Sequence, residues 1–509
     1  MCYVQGILPA TGGTTRYVPL TPPGANRGLP PRLLIRRTHN LFLHHYVTLD
    51  ALDGFPARRR RAAQELGINS RPIFASLKSI DLANCAPYDA MHLLFENLIP
   101  NMILHWIGKF KAVDQGRGHY KLDTPVWERI GELTEACAKT IPSAFVGTIP
   151  DIADQRHLFK AEGYSFWAQY IAPILLKDRL SPVYYNHFLL MREIIIRCVQ
   201  YNITVAEVNE LEEMVNRWVA EYERLYYQYQ DNRLSTCPLT IHALLHIPMY
   251  IRETGPLCNS WAFVMERFCG RLLPAVKNRT QPYEHLNNYI SRRAQMQAAC
   301  HIHGLPTLPR STTKWRYNGR ERLSSHEIMY EDFPHAIVGS PTEVIRRIDF
   351  FTLVRHGRFR LTDDGDRVRT ARLVERSENH RDNSFVRYDL NPDANARFRN
   401  RRDRPVRRTY YGRVLDVYYL KFIEDIENNT RRPYLLVRIL ECQTGGRDAA
   451  LPENPQVKYD RIGPASIIHI DTINAVVGRV QLNRNTWAIV DQSRHGARTQ
   501  FVDEEEDDD

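Results

Sequence analysis

The chain has 509 residues, a formal net charge of +10 and a pI near 9.1. This length predicts two or more domains, and the basic charge favours an anionic partner, usually nucleic acid. Nine cysteines without a CxxC pair argue against a zinc ribbon or a disulfide scaffold, and no apolar run approaches a membrane span, so we expect a soluble intracellular protein.

The first 70 residues predict a loose basic leader. Glycines and prolines dominate the first 35 residues and break any periodicity. Four consecutive arginines follow at 58–61. Such a cluster is typical of a nuclear-entry signal, of a phosphate contact or of a solvated helix start, and the pattern does not separate these readings.

A first polar constellation lies at 89–96. A helix beginning near Tyr88 brings Asp89, His92 and Glu96 to one side, and it puts four apolar residues on the other, Met91, Leu94, Phe95 and Leu98. Two acids and an imidazole on one face can share a metal ion. An aspartate at a helix start is also an ordinary cap, and a polar outer face is often merely solvated.

A second acid, Glu266, lies in an unusual setting. A helix over about 261–273 puts it on the same face as small or apolar residues, Ala262, Phe263, Gly270 and Leu273. We expect this face to turn inward, where an ionised carboxylate is costly without a cation, a metal or several donors. The alternatives are an ion pair with Arg267 or Arg271, or a helix whose phase differs by one residue.

The stretch from 108 to 237 predicts helices throughout. Its clearest helix begins at Thr204, which can form a capping box with Glu207. Apolar residues then recur at steps of three and four, at Val208, Leu211, Val215, Trp218, Val219, Tyr222, Leu225, Tyr226 and Tyr229. Farther on, His242 and His246 are one helical turn apart. We expect them to be packed and hydrogen-bonded, with a role near a site or a phosphate as the alternative.

The character of the chain changes at about 346. Short β-branched and aromatic runs separated by turn residues predict a small antiparallel barrel or sandwich up to about residue 500. Seven of the twelve residues at 397–408 are arginine, including Arg401 and Arg402, and this stretch is either a nucleic-acid contact or a solvated linker. The seven consecutive acids at 503–509 either stay solvated or screen the basic surface.

Several of these blocks resemble CACTA (En/Spm-like) DDE transposases of the fungal type. The resemblance is carried by the Asp-x-x-His of residues 89–92 and by Gly255-Pro256 followed by the Trp-Ala-Phe-x-Met-Glu-Arg run at 261–267. Cys269-Gly270, Asn278-Arg279 and Pro282-Tyr283 continue it. The β-rich part contributes three further motifs, Tyr411-Gly412, Gly478-Arg479-Val480 and the run 487–491. In all, the resemblance covers about residues 71–493.

The resemblance implies an α+β chain with an incomplete ribonuclease-H-like catalytic core. An all-helical insertion would interrupt this core, which accounts for the 177 residues between Asp89 and Glu266, and a small C-terminal β-barrel-like domain would follow it. The implied divisions after the leader are a core segment at 71–110, the insertion at 111–236, a core segment with the final Glu at 237–300, a connector at 301–345, the β-rich domain at 346–500 and an acidic tail at 501–509.

The resemblance also implies roles for individual residues. Asp89 and Glu266 would be the second and third acids of a DDE site that holds Mg²⁺ or Mn²⁺, with His92 as the companion of Asp89. The implied partner is DNA, either transposon ends or non-specific duplex, and the implied compartment is the nucleus. A homo-oligomer or an intact transposase relative is a further expected partner. Four basic residues are candidate DNA contacts, with solvated surface as the alternative: Lys277, Arg279, Arg401 and Arg402.

The first acid of the implied triad is the one that the sequence does not supply. Upstream of Asp89 the only aspartates are Asp50, Asp53 and Asp81, and none lies in an apolar, strand-like run. We therefore expect a transposase-derived chain truncated at the N-terminus of its catalytic domain and inactive in cleavage. The alternatives are a catalytically dead DNA-binding protein and an interaction scaffold derived from a transposase.

Overall fold

The fold is taken from a computed structural model. It describes residues 6–10, 12, 14–111, 113–273, 276, 280–304, 321–322, 347–361, 366–376, 381–395, 400–425 and 430–493. The chain divides into two compact units built from alternating segments, Met1–Trp127 with Leu176–Ala262, and Glu128–Leu175 with Phe263–Arg494. Helices make up 44% and strands 18% of the structure, so the mixed helical and sheet composition that the sequence predicts is confirmed.

The first unit is helical, and no strand is assigned among its described residues. Its α-helices are His39–Asp50, Pro56–Leu66, Ile99–Trp106, Pro182–Cys198, Val205–Tyr222, Leu239–Leu244 and Ile247–Thr254. Two π-helical segments, Met91–Leu98 and Glu223–Tyr227, and four short 3₁₀ turns complete it, at Pro31–Leu33, Ile73–Ser76, Asp231–Thr236 and Leu257–Asn259. The described helices include none with both the length and the apolar character of a membrane span.

The leader differs from the expectation in its second half, where it forms two helices. Thr38 caps the first of them by accepting a hydrogen bond from the backbone N–H of Leu41, and the helix buries Phe42, Tyr46 and Leu49. These apolar contacts compensate for the ordering of the chain, which the glycine and proline content alone did not suggest. The arginine cluster lies on the second helix, Pro56–Leu66, which buries no residue.

The helix predicted from Thr204 is present as Val205–Tyr222. Thr204 Oγ1 accepts from the Glu207 N–H at 3.2 Å, and the Glu207 carboxylate accepts from the Thr204 N–H at 2.7 Å, which completes the capping box. The predicted apolar face is buried from Val208 to Tyr226. It ends before Tyr229, which is exposed because the backbone turns left-handed at Gln228 and Tyr229.

Replacing Thr204 by alanine should lower the free energy of unfolding by about 1 kcal/mol, because the backbone N–H of Glu207 at the helix start loses its hydrogen-bond acceptor. Urea unfolding measures the loss. Thr204→Ser is the matched control, since serine keeps the hydroxyl and should stay close to the wild type. Equal midpoints for the alanine and serine variants would show that the capping box does not stabilise this helix.

The second unit combines short helices with antiparallel sheets. Its helical segments are Ala161–Phe166, Trp167–Ile171, Ala172–Leu175, Phe263–Leu272, Pro282–Ile302 and Ala371–Glu375, and Thr124–Ala136 crosses the boundary between the units. Three 3₁₀ turns belong to it, Cys137–Lys139, Arg156–Leu158 and Ile470–Thr472. Residues 111–236, predicted as one helical insertion, are thus mainly helical but divided between the two units.

Three antiparallel sheets form the rest of the second unit. The largest has seven strands, Glu321–Arg322, Ile348–His356, Phe385–Leu390, Arg408–Asp425, Thr430–Cys442, Ile462–His469 and Ile473–Val476. A three-stranded sheet contains Lys458–Tyr459, Gly478–Gln481 and Trp487–Val490, and a two-stranded ribbon pairs Arg358–Arg360 with Arg367–Arg369. The first strand of the large sheet falls within the residues predicted as a connector.

The predicted barrel is not formed, because the described strands do not close into a ring. The reason lies in the 18-residue strand Arg408–Asp425. Along one edge its first half pairs with Phe385–Leu390 and its second half pairs with Ile348–His356. Its pairing with Thr430–Cys442 has a register shift between Val414 and Asp416. The sheet therefore branches at this strand and stays open. Buried side chains of its strands form two apolar clusters.

The ribonuclease-H-like core stays a prediction. The two segments assigned to it, 71–110 and 237–300, are helical wherever the structure describes a regular element in them. No strand precedes Glu321 among the described residues, so the central sheet of such a core is not among the observed elements.

Candidate functional site

Asp89 begins a helical segment and is held there by three hydrogen bonds. Its Oδ2 accepts from the His92 backbone N–H at 2.9 Å and lies 2.6 Å from His92 Nδ1. Its Oδ1 accepts from the backbone N–H of Ala262 at 2.6 Å. Asp89 is therefore a helix cap, and it also ties its segment to a residue 173 positions later. The side chain keeps 24% of its surface exposed.

His92 and Glu96 share the outer side of this helix with Asp89, as their spacing predicts. His92 Nε2 lies 3.7 Å from Glu96 Oε2, and both side chains are about half exposed. The opposite side buries the four apolar residues that the periodicity selects, Met91, Leu94, Phe95 and Leu98. The result is an Asp–His–Glu row on a firmly packed helix, half-buried at Asp89 and exposed at His92 and Glu96, in which the imidazole lies between the two carboxylates.

His242 and His246 lie in an aromatic environment beside this row. His246 stacks on Tyr88, the neighbour of Asp89, with ring centroids 6.5 Å apart, and its Nε2 is 3.3 Å from His242 Nε2. Burial lowers the pKa of His242 to about 4 and that of His246 to about 3. Both are neutral at pH 7, so they offer no positive charge to a phosphate group. Packed histidines are what the sequence predicted here.

Glu266 differs from the prediction, because it is exposed. Its helix is Phe263–Leu272, and the described residues buried on it lie at its two ends. A Cβ atom built on Gly270 would meet nothing within 4 Å, and Leu273 is 72% exposed. The face expected to turn inward therefore carries no packing at Gly270 or Leu273, and the inference of a buried carboxylate is wrong.

The structure describes two of the four candidate DNA contacts. Lys277 and Arg279 lie outside the described residues. Arg401 and Arg402 are exposed in a loop whose backbone is organised by Asp393, since Asp393 Oδ1 accepts from the backbone N–H of Asn395 and of Arg404. The two arginines thus lie on the described part of this loop, within the second unit.

A two-metal site needs a third acid, and the three upstream aspartates serve other roles. Asp50 pairs with Arg71 at 2.8 Å, and Asp53 pairs with Arg59 at 2.8 Å. Asp81 accepts from the backbone N–H of Ala83 in a turn. Across the part of the chain that the structure describes, no three His, Cys, Asp or Glu side chains are grouped as metal ligands. The donor set among these described residues therefore does not fit the Mg²⁺ or Mn²⁺ that the resemblance implies.

Sequence reasoning missed a buried polar network in the second unit. Arg387 donates to Asp448 at 2.8 Å and to Asp491 at 3.0 Å, and the Tyr411 hydroxyl donates to Asp491 at 2.8 Å. Two of these residues lie in the quoted motifs, Tyr411-Gly412 and the run ending at Asp491. Tyr411 lies within a strand and Asp491 directly follows one, and these polar side chains beside apolar residues were a usable signal for a shared buried partner.

Comparisons with known proteins add no family to this description. No protein-family model, curated protein or solved structure matches the chain. The transposase resemblance therefore depends on the motifs around Asp89 and Glu266 and on those of the β-rich part.

Proposed function

We propose that this chain is a DNA-binding protein derived from a CACTA-type DDE transposase and that it does not cleave DNA. One observation carries the proposal: Asp89 of the Asp-x-x-His block bonds to the backbone of Ala262 within the Trp-Ala-Phe block. Two motifs that are distant in sequence thus meet in space. Glu266 follows Ala262 by four residues in the same block.

The absence of cleavage follows from the carboxylates. In-line attack on a phosphodiester needs a constellation that holds metal ions on both sides of the phosphate. Asp89 already accepts hydrogen bonds on both oxygens, and Asp50, Asp53 and Asp81 are engaged in ion pairs or a turn. Asp89 and His92 therefore act as positioning residues, because the hydrogen bonds between them fix the start of their helix.

DNA is the partner that the charge supports. The chain carries ten more basic than acidic residues, and Arg401 and Arg402 present exposed guanidinium groups that match phosphate oxygens. The proposal includes a nuclear location, which is based on the four arginines at 58–61. Two of these arginines form ion pairs, Arg59 with Asp53 and Arg61 with Glu65.

Binding of a labelled random-sequence duplex at increasing salt tests the proposal. If the protein holds the duplex through phosphates, its affinity should fall at least tenfold between 50 and 200 mM KCl. Each phosphate contact releases a counterion on binding, so the logarithm of the affinity falls with the logarithm of the salt concentration with a slope of about −0.9 per contact. Sucrose at matched osmolality is the control and should leave the affinity unchanged. A flat salt response, or no binding at 50 mM, would contradict a DNA-binding role.

The second candidate is an interaction scaffold, and one observation favours it. The 21-residue helix Pro282–Ile302 buries none of its described residues and exposes Tyr283 at 86% and Ile302 at 73%. A long helix with exposed apolar side chains suits a protein partner, either a second copy of this chain or an intact transposase relative. Sedimentation of the wild type distinguishes a self-associating scaffold from a monomer.

A further inference from the structure

The first 70 residues, the leader, carry a large share of the basic charge of the chain. They contain nine arginines, no lysine and three acids, so their formal net charge is +6 out of +10. The other 439 residues together carry +4. A surface for an anionic partner is therefore expected in the first unit, to which the leader belongs.

The three acids of the leader leave most of its arginines without an ionic partner. Asp53 pairs with Arg59 and Glu65 pairs with Arg61, whereas Asp50 pairs with a residue beyond the leader. The leader arginines, as we call them here, are the five that are exposed and form no ion pair within the described part of the chain: Arg27, Arg32, Arg36, Arg58 and Arg60.

The last three leader arginines lie on a packed scaffold. Phe42 and Tyr46 of the first leader helix belong to an apolar cluster with Ile68, which follows the second leader helix. Arg37 donates to the carbonyl oxygen of Leu66 at 2.8 Å, which joins the approach to the first helix to the end of the second. These segments are therefore in place before a ligand arrives, which lowers the ordering cost of binding.

The second leader helix presents arginine on both of its flanks. Its half-buried residues recur at steps of three and four and so mark the side that faces the protein: Arg59, Ala62, Ala63 and Leu66. Arg58 and Arg60 lie about 100° to either side of Arg59 around the helix axis. Arg58 lies over the Phe55 ring, 5.4 Å from its centroid, and this contact leaves the guanidinium charge without a counter-ion.

We propose that the leader arginines bind backbone phosphates of duplex DNA. Guanidinium groups match phosphate oxygens in a two-pronged geometry. A small anion would need arginines that converge on one point, whereas Arg58 and Arg60 diverge and suit phosphates spread along a duplex. This inference rests on the proposed DNA-binding function, and it adds a contact surface in the first unit to the one that Arg401 and Arg402 offer in the second.

The test compares two double variants that remove the same charge. Arg58→Gln with Arg60→Gln alters the leader, and Arg461→Gln with Arg484→Gln alters two exposed arginines of the second unit. Anisotropy of a labelled duplex is measured from 50 to 200 mM KCl. The leader variant should bind at least about tenfold more weakly than the control variant at 100 mM, and its salt slope should be shallower by about 1.8, that is about 0.9 per lost contact.

A third variant extends the test to the segment before the first helix. Arg36→Gln should make the salt slope shallower by about 0.9, and circular dichroism should show the helix content of the wild type in every variant. Equal affinity and slope for the leader and control variants, with a wild type that binds duplex, would overturn the leader contact and leave the DNA-binding function standing. A wild type that binds no duplex would overturn both.

Discussion

Acidification from pH 7 to pH 5 is expected to unfold the first unit. Four buried histidines there have pKa values far below the ordinary 6.5, chiefly because burial penalises the charged form: His105 at about 3, His187 at about 4, His242 at about 4 and His246 at about 3. Their packing is dense. His105 Nε2 lies 3.0 Å from the Tyr222 hydroxyl, and His187 Nε2 lies 3.1 Å from the Trp218 carbonyl oxygen.

The sign of the effect follows from proton uptake. Below pH 6.5 the unfolded chain binds protons at these histidines and the folded chain does not. Their contribution to stability is therefore complete above pH 6.5 and is lost as the pH falls to their folded pKa values of about 4 and about 3. Each site contributes a slope of up to about 1.4 kcal/mol per pH unit, and the four together up to about 5 kcal/mol per pH unit. Between pH 6.5 and pH 5 this slope removes up to about 8 kcal/mol, which is comparable with the whole stability of an ordinary domain, about 5–15 kcal/mol.

Urea unfolding followed by circular dichroism between pH 4 and pH 8 measures this slope. His105→Gln should reduce it by about one histidine's share, up to about 1.4 kcal/mol per pH unit, because one of the four sites no longer titrates. His44→Gln is the matched control, since His44 is exposed and its neighbour His45 is buried. A wild-type slope near zero, or equal slopes for both variants, would contradict the role of the buried histidines.

Arg387→Met is expected to cost about 3–5 kcal/mol of stability in the second unit, because removing one partner of a buried ion pair leaves the other charge uncompensated. Asp491 is fully buried, and Asp448 and Arg387 have side chains that are 19% and 14% exposed. The methionine fills a similar volume and supplies no charge, so two carboxylates remain in a poorly hydrated site.

Arg407→Met is the control for this prediction. Arg407 pairs with Asp389, and its side chain is 75% exposed, so its loss should cost less than about 1 kcal/mol. Guanidinium unfolding of both variants gives the comparison. Adding Asp448→Asn and Asp491→Asn to the Arg387 variant should recover part of the stability. Similar losses for the Arg387 and Arg407 variants would rule out the buried network as a main source of stability.

The sequence predicts local features better than long-range ones. The cap at Thr204 and the buried face that follows it depend on residues three and four apart, and both are found as predicted. The apolar side of the Asp89 helix was found for the same reason. The left-handed turn at Gln228, which ends the buried apolar face before Tyr229, has no such periodic signal in the sequence.

The failures concern packing between distant segments. The spacing around Glu266 is compatible with an inward face, but burial needs a neighbouring element to cover that face, and periodicity does not supply one. A closed barrel and a branched sheet contain the same short strands. Whether the strands form a barrel or a branched sheet depends on how Arg408–Asp425 pairs with two strands along one edge. The composition of the strands does not determine this pairing.

Electrophoresis of a single reaction shows whether the chain binds DNA without cutting it. A labelled duplex is incubated with the protein and Mg²⁺ or Mn²⁺ at low salt, and the products are separated on native and denaturing gels beside those of Glu266→Gln. We expect a retarded complex with intact strands for both proteins. Cleaved or joined strands that form with metal and disappear with Glu266→Gln would contradict it, as would a duplex that is not retarded.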